Sequence, residues 1–311
     1  MVGVTVGLPF LDAERSLADA VRSVFAQTFT DWELLLVDDG SRDGSLEVAR
    51  RIEDPRVRVL SDGRNRKLPG RLNQIVDEAR GEFVARMDAD DLMHPDRLAR
   101  QLRALRESPP TDIVGTACFT LDRLGAVAGV VGAGPISTRP YHVLRRGLLA
   151  HATLLCRRSW CLANRYDERF ARSEDRELYC RTLGRVVFEH IAAPLYFIGC
   201  TKGERATLRD YVESSRDHRR ICEEHAPRLV GPWAVAPLVL ESFAREAAFA
   251  AATALGMQTR LVRSRGRPPQ MEEQRVALAA LERIRATRVR GLDGPSVHAP
   301  DAVNPRARPG T

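Results

Sequence analysis

Phe83-Val84-Ala85-Arg86-Met87-Asp88-Ala89-Asp90-Asp91 is the stretch on which the fold of this chain turns. Five residues of strand length run without a break into three carboxylates. In an extended segment residues two apart face the same way, so Asp88 and Asp90 point together while Asp91 begins the next turn. Two same-facing carboxylates at a strand end suit a hard divalent cation, Mg2+ or Mn2+, that bridges to phosphate oxygens. Such a cation neutralises the charge that builds on a departing diphosphate. The same acids would also cap the helix expected from about residue 95 to 107. The four residues alone leave both readings open.

Outward from that stretch, strand-like and helix-like periods alternate. Apolar runs at residues 2–8, 32–37, 57–60, 83–87 and 112–120 read as strands. Leu17, Val21, Val24 and Phe25 fall at helical spacing, and further helices are expected at 44–52, 68–79 and 95–107. Short strands alternating with helices indicate βαβ units, hence an α/β fold with a mainly parallel central sheet flanked by helices. Ligands of such sheets bind outside the carboxyl ends of the strands. Asp38-Asp39-Gly40-Ser41 closes the second strand there, and Asp88 to Asp91 closes the fourth. A carboxylate at the first of these places either caps a turn or accepts hydrogen bonds from a nucleobase or a ribose. The first turn, Leu8-Pro9-Phe10-Leu11-Asp12, has no G-x-G-x-x-G, which argues against a dinucleotide cofactor.

Beyond residue 125 the pattern is mixed: a hairpin or loop at 125–134, a strand at 151–156, a helix at 174–183, and one or two strands over 186–198 split by Pro194. Glu174-Asp175 opens that helix. An acid at a positive helix end stays ionised and able to accept a proton, or simply stabilises its own helix. The chain then turns helical at 206–225, 236–255 and 270–288, with Gly-Arg-Pro-Pro at 266–269 as a linker and residues 289–311 as a disordered tail rich in Pro, Gly and Arg.

Composition narrows the classes. The 311 residues are 44% hydrophobic, enough for a buried core. No apolar run reaches the roughly 18–20 residues of a membrane span; the nearest, 233–256, is interrupted by Glu241, Arg245 and Glu246. With no secretory leader at the N-terminus, a cytoplasmic protein is expected. The six cysteines lack metal-ligand spacing and read as reduced core thiols. The net charge of +7 favours an anionic partner. Aromatic residues at 6% with no basic interleaving argue against nucleic acid. Contact of the Arg-rich C-terminal segments with anionic lipid at the inner face of the membrane, and a homodimer, both stay open.

Read in order, the pieces become specific. Val4-Thr5-Val6-Gly7-Leu8-Pro9-Phe10-Leu11-Asp12, then Ser23-Val24-Phe25-Ala26-Gln27-Thr28, then the run from Trp32 to Gly44 resemble family 2 glycosyltransferases of the GT-A fold. Leu68-Pro69-Gly70-Arg71-Leu72-Asn73, Ala79-Arg80-Gly81-Glu82-Phe83 and Met87-Asp88-Ala89-Asp90-Asp91 match that family's next blocks, and Ser173-Glu174-Asp175-Arg176-Glu177-Leu178 resembles its acceptor-side motif. The resemblance implies a catalytic domain over residues 1–200, with a donor half to about 122 and an acceptor half from 123, followed by a helical C-terminal region at 201–288. It implies that Pro9, Phe10 and Asp38 or Asp39 hold the base and ribose of a nucleotide sugar. Arg71 would approach the base or diphosphate. Asp88 and Asp90 form the family's D-x-D, with Asp90 the direct ligand of Mg2+ or Mn2+, Asp88 in support and Asp91 a weaker candidate. Asp175 would be the base that takes the proton from the acceptor hydroxyl, with Glu174 beside it. His151 lies where the family often has a histidine facing the site, and a structural role stays open for it.

Asp12 departs from the family by standing where asparagine is usual. The Q-x-x-R-W block of some processive members is missing, which, with the lack of membrane helices, argues for transfer of a single sugar; inversion is what the resemblance implies. A UDP-sugar is the default donor, with dTDP and GDP sugars open. A saccharide, a lipid-linked saccharide or a small molecule would be the acceptor, as in cell-surface polysaccharide biosynthesis. A nucleotidyltransferase would want a Gly-rich basic loop after the first strand, and a phosphatase its D-x-D there. A catalytically silent sugar-nucleotide-binding module is separated from an enzyme by donor turnover with added metal.

Overall fold

The computed structural model describes residues 2–107, 110–199, 207–254 and 266–293. Strands β1 (Val4–Phe10) and β2 (Trp32–Asp38) are buried at every position. A parallel strand covered on both faces needs such a continuous apolar run. With β3 (Val57–Leu60) and β4 (Phe83–Arg86) they form a parallel set in the order β3-β2-β1-β4. Helices α1 (Leu17–Phe25), α2 (Ser45–Arg50) and α3 (Lys67–Glu78) make the crossovers. Helix α3 lies so close on β1 that a Cβ on Gly7 would stand 2.3 Å from Ile75 Cγ2.

The second half of the sheet is mixed. The order continues from β4 through β8 (Leu155–Arg157), β6 (Ile113–Leu121) and β9 (Phe188–Ile198) to β5 (Leu92–Met93), and β7 (Val127–Val131) forms a hairpin with β6. Strands β6 and β9 are parallel, whereas β8 runs against both β4 and β6, and β5 runs against β9. The expected mainly parallel arrangement thus holds for the first four strands and for the β6–β9 pair. Pro194 does not split β9. Its register against β6 slips there instead, from Thr116↔Ile191 to Ala117↔Pro194, because proline has no N–H for the ladder.

Helix α4 (Arg97–Glu107) joins β5 to β6. The strand expected at 151–156 begins with a 3-10 turn, His151–Thr153, and only 155–157 is extended. Two short helices not legible in the sequence, α5 (Pro140–Arg146) and α6 (Arg158–Ala163), flank it, and α7 (Glu174–Thr182) follows.

The C-terminal helices serve two different places. Helices α8 (Leu208–Leu229) and α9 (Val235–Ala254) share a core with α5 and α7 that includes Val143, Leu144, Phe170, Tyr179, Ile221 and Leu238. Helix α10 (Met271–Ala286) returns to the other side, where Ala277, Leu281 and Ile284 pack with Phe119, Val130 and Phe197. The expected linker at 266–269 is held to β7 by two backbone bonds between Arg267 and Val130, of 2.8 and 3.0 Å.

Residues 289–293, expected in a disordered tail, are a correction. Val289 is 1% exposed in the main core, the Arg290 carbonyl accepts from Glu53 N–H, and Asp293 pairs with Arg22 at 3.0 Å. The rest of that tail, 294–311, and the expected domain boundary near 200–206 lie outside the described residues. Cys118, Cys156, Cys161, Cys180 and Cys222 are free thiols, and Cys200 lies outside the described residues.

Candidate active site

The carboxyl ends of β1, β2 and β4 gather the acids singled out above. Phe10 stands opposite Asp38 in the β1–β2 register, and the Phe10 carbonyl accepts from Asp39 N–H at 2.8 Å, so Pro9, Phe10, Asp38 and Asp39 form one wall. The Asp38 carboxylate accepts from Ser41 N–H at 2.9 Å and from the Ser61 hydroxyl at 2.7 Å. Its turn-capping role is therefore real. Asp39 accepts from Arg66 N–H at 2.7 Å and from Arg71 Nε at 2.9 Å.

Arg71 is fully buried. It also donates to Asp62 at 2.6 Å, to Gln74 at 2.7 Å and to the Arg64 carbonyl. Its hydrogen bond holds Asp62 well below the usual carboxylate range. The guanidinium expected to approach the base or diphosphate fastens the 62–66 loop to Asp39. In the same loop Arg66 donates its N–H to Asp39 and pairs its guanidinium with Asp62 at 2.5 Å, while Arg64 offers its carbonyl to Arg71.

Asp88, Asp90 and Asp91 each offer a carboxylate oxygen, and these atoms lie within 4.8 Å of one another. Three hard oxygens at that spacing fit Mg2+ or Mn2+. The cluster does not cap α4, because β5 and His94-Pro95-Asp96 intervene. It is fastened by its neighbours instead. Asp88 N–H donates to the Tyr196 hydroxyl at 3.1 Å, and Asp88 Oδ1 pairs with Arg86 Nη2 at 2.7 Å. Asp91, 1% exposed, accepts from Gly199 N–H at 2.9 Å. Gly199 presses on this turn so closely that a Cβ would come 2.3 Å from the Asp90 carbonyl oxygen.

Beneath it Arg97 is wholly buried. It donates to the carbonyls of Arg86 and Leu154 at 2.9 and 3.1 Å and stacks over the Tyr196 ring at 5.1 Å. Burial pushes it down to about 10. Arg86, Arg97 and Tyr196 escaped the sequence reading. The signal for Arg86 is present in the sequence, since an arginine inside a buried strand, two residues before Asp88, must share its face.

Helix α7 brings in the acceptor-side acids. Its first turn holds Glu174, Asp175 and Glu177, which favours the helix dipole whatever else they do. Asp175 is half-buried, and its carboxylate accepts from Arg176 N–H at 2.8 Å. Glu174 is turned inward, 5% exposed, with an oxygen 3.3 Å from His151 Nδ1. The other ring nitrogen of His151 lies 2.8 Å from the Tyr166 hydroxyl. Burial raises the Glu174 carboxyl to about 7, against the pull of Arg86. Asp88 acts on the same group, so the start of α7 and the acid cluster stand within electrostatic reach of each other.

Residues 5–124 match the family model described as "Glycosyl transferase family 2". A putative glycosyltransferase, EpsE, of Bacillus subtilis (strain 168) is 32% identical over 156 residues, 49% of this chain. The chain spans about half the length of that relative, 53%. Among solved structures, S. aureus TarS 1-349 in complex with UDP-GlcNAc superposes with a TM-score of 0.56 at 15% identity, covering 92% of this chain and 82% of that one. The mannosyltransferase PcManGT from Pyrobaculum calidifontis, in complex with GDP-Man and Mn2+, gives 0.52 at 18% identity, covering 91% and 85%. The fold of these neighbours, the match over the donor half and the motifs at the strand ends agree: residues 5–124 are similar to the glycosyl transferase family 2 domain.

Proposed function

We propose that this chain moves a single sugar from a nucleotide-diphosphate sugar, by preference a UDP-sugar, to an acceptor hydroxyl with inversion at the anomeric carbon. The observation that carries the reading is the meeting, at one end of the sheet, of a three-carboxylate cluster with the acidic start of α7. Pro9, Phe10 and Asp39 line the place for base and ribose, and Asp88 faces the ribose and diphosphate. Asp90, with Asp88 and Asp91, would hold Mg2+ or Mn2+, which when bound supplies positive charge to the departing nucleoside diphosphate. Asp175 accepts the proton of the acceptor hydroxyl. The hydroxyl oxygen then bonds to the anomeric carbon from the face opposite the diphosphate, whose bond to that carbon breaks.

A relative named as a UDP-Glc:alpha-D-GlcNAc-diphosphoundecaprenol beta-1,3-glucosyltransferase, WfgD of Escherichia coli, 30% identical over 99 residues, supports a lipid-linked saccharide acceptor, and no described helix is long and apolar enough to cross a membrane. A cytoplasmic enzyme working on saccharide or lipid-linked acceptors at the membrane face is the reading most consistent with these features.

Thermal shifts with UDP, GDP and dTDP, each with and without Mn2+, test the donor. A shift seen only with metal and one nucleotide is expected. Asp90→Ala should abolish it. Asp175→Asn should keep it while turnover falls at least about a hundredfold. Near-normal turnover in both variants would sink the assignment.

A further inference from the structure

We propose that Arg86 is a positioning residue that holds Asp88 within the acid cluster and tempers the charge of that cluster; this rests on the site reading above. Arg86 closes β4 with its side chain 9% exposed and its Nη2 2.7 Å from Asp88 Oδ1. Its backbone is pinned on both sides. Arg86 N–H donates to the Leu154 carbonyl at 2.9 Å, and its own carbonyl accepts from Arg97 at 2.9 Å. The buried Glu174 of α7 feels the attraction of the same guanidinium. Glu174 is in turn braced by His151 at 3.3 Å.

A planar, always-charged guanidinium against the Asp88 carboxylate fixes the direction of that carboxylate as well as offsetting its charge. The arginine also offsets part of the repulsion among three aspartates within 4.8 Å. These two effects oppose each other in a way that betrays the role. Without the guanidinium the cluster is more negative and attracts a cation more strongly, on the order of tenfold for a unit charge about 6 Å from a divalent ion in a water-like dielectric. The Asp88 carboxylate, however, is loosened, and misplacement by about 1 Å costs transfer on the order of a hundredfold.

The experiment measures Mn2+ binding to the full chain without nucleotide, by the paramagnetic resonance of free Mn2+. It compares wild type, Arg86→Met, Arg86→Lys and Asp90→Asn, and adds turnover of the donor that the nucleotide panel selects. Arg86→Met is expected to bind Mn2+ about tenfold more tightly and to turn over at least tenfold more slowly. Arg86→Lys, which keeps the charge and loses the fork, should return Mn2+ affinity to within about twofold of wild type and recover only part of the turnover. Unchanged or weaker Mn2+ binding by Arg86→Met overturns the proposal, because an arginine that merely supports the fold weakens binding and turnover together. If Arg86→Met does not fold, Arg86→Gln carries the same expectation. Asp90→Asn should lose at least tenfold in Mn2+ affinity. If it does not, the metal reading itself fails, whatever the arginine variants do.

Discussion

At the residue scale, Glu174 and Asp175 show how far adjacent identical chemistry can diverge. The sequence presents two acids side by side at a helix start. Packing of α7 turns one inward against His151 and leaves the other half-exposed. Burial raises the Glu174 carboxyl from its ordinary 4.5 to about 7, so the folded chain keeps a proton that the unfolded chain releases. Stability from this group is whole below about pH 4.5 and is lost as the pH climbs through 7. Glu174→Gln is neutral throughout and escapes that loss. In metal-free buffer its Tm should rise relative to wild type between pH 5 and pH 8, equivalent to about 3 kcal/mol at most. A difference that stays flat across that range would show that Glu174 does not titrate there. Arg71 teaches the reverse lesson. Its place in the motif was legible, but its hydrogen bonds go to Asp39, Asp62, Gln74 and the Arg64 carbonyl, and only the folded loop could reveal that.

At the scale of elements, the acid cluster owes its shape to a strand that is more than a hundred residues away in sequence. Strand β9 pairs with the two-residue β5, directly after Asp91, and its end delivers Gly199 onto the cluster. Any Cβ there meets the Asp90 carbonyl, which belongs to the backbone and cannot rotate away. Gly199→Ala should therefore cost about 1–3 kcal/mol of stability and weaken Mn2+ binding with it. Denaturant unfolding and a Mn2+ titration check both, and an alanine variant with wild-type metal affinity would remove Gly199 from the site. The long, strongly periodic elements of the donor half were readable because each carries its own apolar run or stripe. Strand β5 and helices α5 and α6 were not, being two, seven and six residues long, too short for a period to repeat.

At the scale of the whole molecule, the described C-terminal helices pack onto the sheet and its flanking helices rather than standing apart. Helix α10 covers Phe119 and Phe197 of β6 and β9, the strand pair that steers Tyr196 and Gly199 to the cluster. Leu281, 3% exposed in that contact, should cost about 2–5 kcal/mol when cut to alanine, a fall in Tm readable by thermal unfolding. If α10 were a loose extension, the same substitution would leave the transition where it was. The sequence by itself determined the alternation of strands and helices in the donor half and the acids at the ends of its strands. Those features are local, written in apolar periods and in the residues that stop them. Only the tertiary structure decided the antiparallel strands of the acceptor half, the landing places of the C-terminal helices and the arginines beneath the aspartates. Each of those depends on contacts between segments far apart in the chain, which no local period encodes.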